Sequence, residues 1–209
     1  MRQLPMFPLG TVLFPHMVLP LHVFEPRYRA LMHDVLDGDR EFGVALISRG
    51  HEVGGGDLRT DVGTVARIVQ AEEIEDGRWL TIAVGTRRVR IDRWLPDDPY
   101  PLAVVEDLEE SVDLGEVDAS DELLVAATAR LRRVLAMQAE LGEETLPSTF
   151  ELVEDPAIAG WQLAVVAPLN PLDAQRILAA GSHRERLELL TDALEGLEAA
   201  YDFRLRGHD

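Results

Sequence analysis

The first half of the chain alternates short apolar runs with turn residues, which is the pattern of β-strands in a barrel or sandwich. Residues 88–94 alternate polar and apolar side chains, as a strand with one buried face does. Asp76–Gly77, between two of the runs, predicts a tight hairpin turn. Strands are predicted at Val18–Phe24, Phe42–Ser48, Gly63–Gln70, Trp79–Val84, Val89–Trp94 and Leu102–Val105.

One helix is predicted inside this β-rich half. Glu25–Pro26 suits its N-terminus, because proline is tolerated in the first turn of a helix. The apolar residues that follow recur every three or four positions, which predicts one buried helix face. They are Tyr28, Leu31, Met32, Val35 and Leu36.

The second half is predicted to be helical. Ser120 is expected to cap a helix from Asp121 to about Leu141, which Gly142 ends. Further helix starts are predicted where capping residues precede apolar residues at helical spacing. They are Ser148-x-x-Glu151, Asp155–Pro156, Asn170–Pro171 and Ser182-x-x-Glu185. Helices in this succession predict a small bundle.

Charge also divides the chain. Its 209 residues hold 38 acidic and 20 basic side chains, a net charge of −18. Residues 1–105 contribute −3 of this charge and residues 106–209 contribute −15, and nine acidic but no basic residues stand at 106–122. Such an acidic run is typical of a solvated connector. We therefore predict a β-rich subdomain at 1–106, an acidic connector at 107–120 and a helical subdomain at 121–209.

Composition excludes several classes of function. All 20 basic residues are arginine, so there is no lysine for a Schiff base, a Walker-A loop or a Ser–Lys dyad. There is no cysteine for a thiolate nucleophile, and the six histidines lack metal-binding spacing. The sequence therefore predicts no catalytic residue, no metal and no cofactor. The acidic balance also makes nucleic acid and anionic membranes poor partners.

The N-terminus shows no targeting pattern. Pro5, Pro8, Pro15 and Pro20 interrupt the apolar stretch that a signal peptide would need. No window is long and apolar enough to span a bilayer. We therefore expect a cytoplasmic protein.

Residues 7–32 carry the most specific motif of the chain. They contain, in order, Phe7–Leu9, Val12–Pro15, Leu19–Leu21 and Phe24–Tyr28, which read FPL, VLFP, LPL and FEPRY. This order resembles the opening signature of the Lon protease N-terminal domain, or LON substrate-binding domain. Later stretches that agree with this family are Phe42–Val44, Gly63–Ala66, Asp76–Arg78, Gly85–Val89 and Tyr100–Ala103.

The resemblance implies an α+β fold, a PUA-like β pseudo-barrel with one inserted helix followed by a C-terminal α-helical bundle. It implies a non-catalytic module that binds unfolded or exposed apolar polypeptide segments, as an adaptor or recognition protein in protein quality control. Full-length Lon proteases also carry an ATPase module and a Ser–Lys peptidase, which a chain without lysine cannot form. We therefore expect a stand-alone member of the family, with an ATP-dependent protease as a partner.

The candidates for polypeptide binding are aromatic residues with arginines as polar partners. The same residue types also suit a structural role, since a tyrosine can bury its ring while its hydroxyl stays hydrogen-bonded. The candidates are Arg27, Tyr28, Trp79, Arg87, Trp94 and Tyr100.

Two other functions stay open. A small-molecule hydrolase could use histidine and carboxylate residues, with His22 and His51 as the first to test. A PUA-like RNA-binding module would need a basic face in the first half of the chain. Alternation along the strand puts Asp92 on the same side as two of the arginines, which keeps such a face small. The arginines available for it are Arg67, Arg87, Arg88, Arg90 and Arg93.

Overall fold

The structure, a computed structural model, describes residues 1–49, 58–110 and 117–207, without the side chains of residues 117–119. His51 and residues 111–116 of the predicted connector lie outside the described residues. The chain divides into two compact units, Met1–Glu109 and Glu110–Asp209. The division falls inside the predicted acidic connector. The described helices include none that is both long enough and apolar enough to cross a membrane.

In its described residues the first unit contains six strands and one helix. The strands are β1 (Arg2–Leu9), β2 (Val18–Val23), β3 (Glu41–Arg49), β4 (Leu58–Glu73), β5 (Trp79–Leu95) and β6 (Leu102–Asp107). The helix, α1 (Pro26–Asp37), connects β2 to β3 and matches the predicted apolar stripe. Glu25 stands at its N-cap position and Pro26 in its first turn, as predicted.

The strands form one mixed sheet in the order β2-β5-β4-β3-β1-β6. A further antiparallel pairing of β6 with β5 closes five of the strands into a barrel, with β2 attached outside the closed ring. Only β1 and β3 pair in parallel among the described strands. The predicted α+β barrel is therefore confirmed for the first unit.

β5 is one strand where the sequence predicts two. The predicted strands at 79–84 and 89–94 join through Gly85, where the pairing with β4 shifts by one residue. Such a bulge lets a long strand bend without ending, so it continues from one partner strand to another. The β4–β5 hairpin turns at Gly77, which has φ of 75° and donates its N–H to the carbonyl of Ile74. The predicted turn at Asp76–Gly77 is thus confirmed.

The sequence pattern does not predict β1, because Pro5 and Pro8 interrupt it. In the structure β1 pairs with β6 over its first four residues and with β3 over its last four. Each half of β1 therefore has a single partner strand. Alternate N–H groups of β1 point away from that partner, so they need no acceptor in the sheet. Proline is compatible with such a strand because it lacks only a donor that the sheet does not use.

Each face of the sheet carries an apolar core. On one face, α1 buries Tyr28, Leu31 and Met32 against the strands. On the other face, a smaller core of residues from the closed strands includes Leu4, Met6 and Val89. The sheet thus carries a core on each of its two faces. Successive side chains of a strand point to opposite faces of the sheet, so alternate residues contribute to the two cores.

The second unit is helical in its described residues. Its helices are α2 (Val117–Glu140), α3 (Pro156–Val166), α4 (Pro171–Ala179) and α5 (His183–Arg206). The predicted caps of the last three are confirmed, because the side chains of Asp155, Asn170 and Ser182 each accept hydrogen bonds from N–H groups of the first turn. These caps fix where each helix begins.

Two predicted helix starts in this unit are wrong. α2 begins at Val117, so Ser120 lies inside its first turn and does not cap it. Ser148-x-x-Glu151 starts no helix, and the N–H of Phe150 bonds to Pro147 in a turn. Pro156, which opens α3, disfavours helical backbone at Asp155, the residue before it.

Gly85 is required by close packing at the bend of β5. A Cβ atom there would collide with the backbone carbonyl oxygen of Phe14, which cannot turn away as a side chain can. We expect Gly85→Ala to lower the free energy of unfolding by about 1–3 kcal/mol. Urea denaturation, followed by the tryptophan fluorescence of the chain, measures this loss.

Gly196 in α5 provides the matched control. A Cβ atom there meets nothing within 4 Å, and alanine favours a helix over glycine. Gly196→Ala is therefore expected to raise the stability of the second unit by roughly 0.5–1 kcal/mol. Equal effects of the two substitutions would show that crowding at Gly85 is unimportant.

Candidate functional site

On the face of the sheet opposite the core with α1, β2 and the first half of β5 carry exposed apolar side chains. Trp79 and Ala83 of β5 point into the core with α1, so the alternate residues Leu80 and Ile82 point the other way. There they remain 46% and 36% exposed. Val18 on β2 is 57% exposed on the same side.

Cross-strand pairing places these side chains next to one another. Pro20 lies opposite Ile82, and His22 lies opposite Leu80. Cβ atoms of such pairs are about 5 Å apart, so the side chains form one continuous surface. We call Val18, Pro20, Leu80 and Ile82 the apolar face. A folded chain gains nothing from exposing such a surface, which makes it a candidate for binding.

A shallow groove runs over the apolar face and has polar residues on one side. Its volume is about 450 Å³, and its lining includes Pro20, Leu80 and Ile82. On β4, Gln70 lies opposite Ile82 and Glu72 lies opposite Leu80, and both are exposed. An apolar floor with a polar margin can take apolar side chains of a ligand while its backbone stays hydrated.

Three of the predicted binding residues belong to the core with α1. Tyr28 is only 3% exposed, and its ring stacks on Phe7 at 4.0 Å between centroids. The Tyr100 hydroxyl donates to Asp34 at 2.7 Å, and burial, followed by that bond, raises the pKa of Tyr100 to about 12. Trp79 is buried, with its ring edge-on to His33. The structure brings these three aromatic residues together in the core behind β2.

The other three predicted residues lie apart from that group. Trp94 is half-buried against the second core, with the guanidinium of Arg59 4.4 Å from its ring centroid. Arg27 pairs with Glu25 at 3.1 Å and also lies over the Tyr28 ring. Arg87 binds carboxylates within the barrel. The six residues therefore do not form one surface, and their contact with a ligand stays a prediction.

Glu41 is the centre of an ion cluster that joins four strands. It begins β3 and is buried, and Arg87 of β5 binds both of its carboxylate oxygens, at 2.7 and 3.0 Å. Arg2 of β1 and Arg67 of β4 bind the same carboxylate at 3.3 and 3.2 Å. Hydrogen bonds from Arg87 lower the pKa of Glu41 to about 2, with smaller contributions from the other two arginines. The cluster thus links the four strands through one carboxylate.

The arginines proposed for an RNA-binding face are occupied by carboxylates or buried. Arg90 pairs with Glu106 at 3.5 Å and Arg93 with Asp92 at 2.8 Å. Arg88 is buried, while Arg67 and Arg87 bind Glu41. Nearby negative charges offset the field that would attract phosphate groups. The geometry therefore gives the RNA-binding alternative no support.

The hydrolase alternative also finds no assembled site in the part of the chain that the structure describes. His22 is exposed beside the ring of Phe24, and His51 lies outside the described residues. Within the described ranges no three His, Cys, Asp or Glu residues are grouped so that they could hold a metal ion. His22 instead lies beside Pro20 and Leu80 at the edge of the apolar face.

The second unit contains a buried arginine that sequence reasoning missed. Arg186 of α5 is fully buried, with its guanidinium 3.5 Å from the centroid of the Trp161 ring. It forms an ion pair with Glu110 and donates to Nδ1 of His183 at 3.3 Å. Burial lowers the pKa of His183. Arg186 itself is closed to solvent, which indicates a structural role for it.

Sequence reasoning also missed the apolar face, although the sequence holds a signal for it. Val18–Val23 reads VLPLHV, with apolar residues at both even and odd positions. A strand at the margin of a sheet should alternate apolar and polar residues, so this run predicts either burial on both faces or an exposed apolar surface. Only the pairing of β2 decides between the two.

Known proteins resemble this chain over nearly its whole length. The family described as the ATP-dependent protease La (LON) substrate-binding domain matches residues 3–196. The Lon protease of Brevibacillus choshinensis is 30% identical over 197 residues, which are 92% of this chain and 25% of that protein. The Lon protease of Escherichia coli K12 is 30% identical over 199 residues, 92% of this chain and 24% of that protein. The chain thus spans about a quarter of the length of these relatives.

Solved structures share the fold. A Lon N-terminal domain protein from Xanthomonas campestris superposes with a TM-score of 0.64 at 27% identity, covering 92% of this chain and 98% of that one. The N-terminal domain of a Lon protease from the Mycobacterium avium complex gives a TM-score of 0.67 at 18% identity, covering 93% and 98%. The second likeness concerns the fold alone.

The Glu41 cluster makes the stability of the first unit sensitive to acid. The pKa of Glu41 is about 2 in the folded chain against an ordinary value of 4.5, so its ion pairs stabilise the fold fully above pH 4.5. This stability is lost as the pH falls from 4.5 towards 2. We expect Glu41→Gln to remove roughly 2 kcal/mol of stability at pH 7, a value reduced for the exposure of the arginines.

The pH profile of the same variant separates charge from packing. Between pH 4.5 and 2, urea denaturation of Glu41→Gln should show a flatter loss of stability than the wild type, because glutamine does not titrate. Identical pH profiles for the two proteins would mean that Glu41 does not carry this acid sensitivity.

Proposed function

Because the chain belongs to the family of ATP-dependent protease La (LON) substrate-binding domains, we propose that it binds unfolded or exposed apolar polypeptide segments without catalysis. The apolar face of β2 and β5 is the observation that carries this proposal. It is exposed, continuous and uncharged, which suits side chains that a folded protein would bury.

The size of the apolar face suits weak and unselective binding. Burying one such side chain contributes about 1.5–3 kcal/mol at most, and part of this is lost in ordering the ligand. A few such contacts give affinities in the micromolar range. A module of this kind recognises the apolar character of a segment rather than a fixed sequence.

The six residues predicted from the sequence enter this proposal in a supporting role. Tyr28, Trp79 and Tyr100 pack in the core that also holds Leu19 and Val23, the inward residues of β2. Their packing in the same core as these two residues therefore positions β2. The guanidinium of Arg27 packs over the ring of Tyr28. Arg87 and Trp94 stabilise the barrel itself.

The absence of lysine supports the non-catalytic part of the proposal for these 209 residues. An ATPase of the Walker type needs a lysine at the phosphates, and a Ser–Lys peptidase needs one as its base. We propose that the chain acts in the cytoplasm as an adaptor or recognition protein in protein quality control. Its proposed partner is an ATP-dependent protease that supplies the catalysis.

Binding of an unfolded protein tests the apolar face directly. Reduced, carboxymethylated α-lactalbumin is a suitable probe because it cannot fold. We expect the triple variant Val18→Thr, Leu80→Thr, Ile82→Thr to bind it about tenfold more weakly than the wild type, since threonine keeps strand propensity but removes apolar area. Fluorescence anisotropy of the labelled probe measures the change.

Exposed apolar residues of the second unit give the matched control. Val125, Leu172 and Phe203 are at least as exposed as the residues of the apolar face, so the triple change to glutamine removes comparable area. This control should bind as the wild type does. A wild-type chain that fails to bind the probe at tens of micromolar would contradict the proposed function.

The adaptor role has a separate test. An ATP-dependent protease from the same cell should degrade the carboxymethylated probe about two- to tenfold faster when the chain is added, because a bound probe has a higher local concentration. The apolar-face triple variant should give no acceleration. Equal degradation with and without the chain would contradict the adaptor role and leave polypeptide binding intact.

A further inference from the structure

β2 has an open edge in the part of the chain that the structure describes. The other five strands close into a ring through the pairing of β5 with β6. Among the described strands β2 pairs with β5 alone, so its second edge meets none of the others. An open edge offers a row of backbone donors and acceptors to any extended chain that reaches it.

The pairing with β5 shows which groups lie on this edge. The N–H of Gly85 donates to the carbonyl of Met17 at 2.9 Å, one step before the paired residues Val18 and Val84. Residues that bond to the partner alternate along an antiparallel strand, so Leu19, Leu21 and Val23 face β5. Val18, Pro20 and His22 therefore direct their backbone groups to the open edge.

Pro20 agrees with this assignment. A proline cannot donate to the sheet, and it is tolerated where its nitrogen faces away from the partner strand. The open edge consequently presents three carbonyl oxygens, of Val18, Pro20 and His22, and two N–H groups, of Val18 and His22. The side chains of the same residues are exposed.

The edge lacks one of the usual protections against pairing, a charged side chain, although it keeps another, the proline Pro20. Exposed edge strands commonly carry charged side chains, which discourage an added strand. β2 has none, and its exposed Val18 and Pro20 continue the apolar face across to Leu80 and Ile82 of β5. An added strand would extend this apolar surface and pair with the backbone at the same time.

We propose that an extended segment of an unfolded polypeptide binds by adding a strand to the open edge of β2. This inference rests on the proposed function and specifies how the ligand is held. Backbone hydrogen bonds would supply affinity without reading sequence, and alternate apolar side chains of the segment would lie against Val18 and Pro20.

A second copy of this chain fits the edge less well. Pro20 is the middle one of the three edge-facing residues. A two-fold axis at this residue would place Pro20 of one copy opposite Pro20 of the other. That pair has two carbonyl oxygens and no donor, so its central hydrogen bonds are missing. A foreign segment brings an N–H to the carbonyl of Pro20, which favours a foreign polypeptide as the occupant.

Amide hydrogen exchange, followed by NMR on the full chain, tests the proposal. The probe is the peptide acetyl-Arg-Thr-Val-Thr-Val-Thr-Arg-amide, which is extended, soluble and alternating. In the free chain the amides of Val18 and His22 should exchange fast, whereas those of Leu19 and Leu21 should be protected. The bound peptide should slow exchange at Val18 and His22 by about tenfold or more.

Two substitutions at Val18 separate the backbone from the side chain. Val18→Pro removes an edge N–H and keeps apolar area, whereas Val18→Ala keeps the N–H and removes apolar area. We expect the proline variant to bind the peptide about fivefold more weakly and the alanine variant about twofold more weakly. Retained protection at Leu19 and Leu21 verifies that β2 is still paired in each variant.

The outcomes distinguish this inference from the proposed function. If neither the carboxymethylated protein nor the peptide binds, the proposed function fails and the inference fails with it. If the unfolded protein binds but the peptide does not, the inference alone fails. It also fails if the peptide binds with unchanged exchange at Val18 and His22, or if the chain dimerises through β2 in a concentration-dependent manner.

Discussion

The pairing of β5 along both of its edges is the constraint on which the first unit depends. β4 follows one edge of β5 from Trp79 to Arg90, while the other edge is divided between β2 at its start and β6 at its end. Because β6 takes the second half, the sheet closes into a barrel that excludes β2. The bend at Gly85, where the backbone of Phe14 approaches closely, makes this division sterically possible. The apolar face and the open edge of β2 therefore follow from the closure of the barrel.

Charged side chains of the barrel pair with one another, whereas the apolar face carries no charged side chain. In the barrel, Glu41 gathers three arginines from three other strands, and other arginines pair with neighbouring carboxylates. These pairs offset the positive field that a phosphate ligand would need. The helical unit holds most of the net negative charge, and its buried Arg186 is closed off by Trp161 and Glu110. A hydrophobic, uncharged surface on the less acidic unit is consistent with a ligand whose recognition depends on apolar contact.

Local signals in the sequence predicted much of the fold. The stripe that begins at Tyr28 predicted α1, and Asp76–Gly77 predicted a hairpin that the structure confirms. Asp155, Asn170 and Ser182 cap the helices that they were expected to cap. Each of these features depends on residues a few positions apart, so short-range chemistry suffices. β1 was missed because its prolines are acceptable only when each half of the strand has one partner, and that pairing joins residues far apart in the sequence.

The candidate site shows the same division. The aromatic residues that the sequence singled out are buried or half-buried, because large aromatic side chains stabilise cores as readily as they bind ligands. The sequence by itself determined the family signature, the acidic imbalance, the absence of lysine and the local starts of most helices. Only the tertiary structure decided that Leu80 and Ile82 are exposed, that Arg186 is buried and that β2 keeps an open edge. These properties arise from which strands and helices meet, and a residue's neighbours along the chain do not specify its neighbours in space.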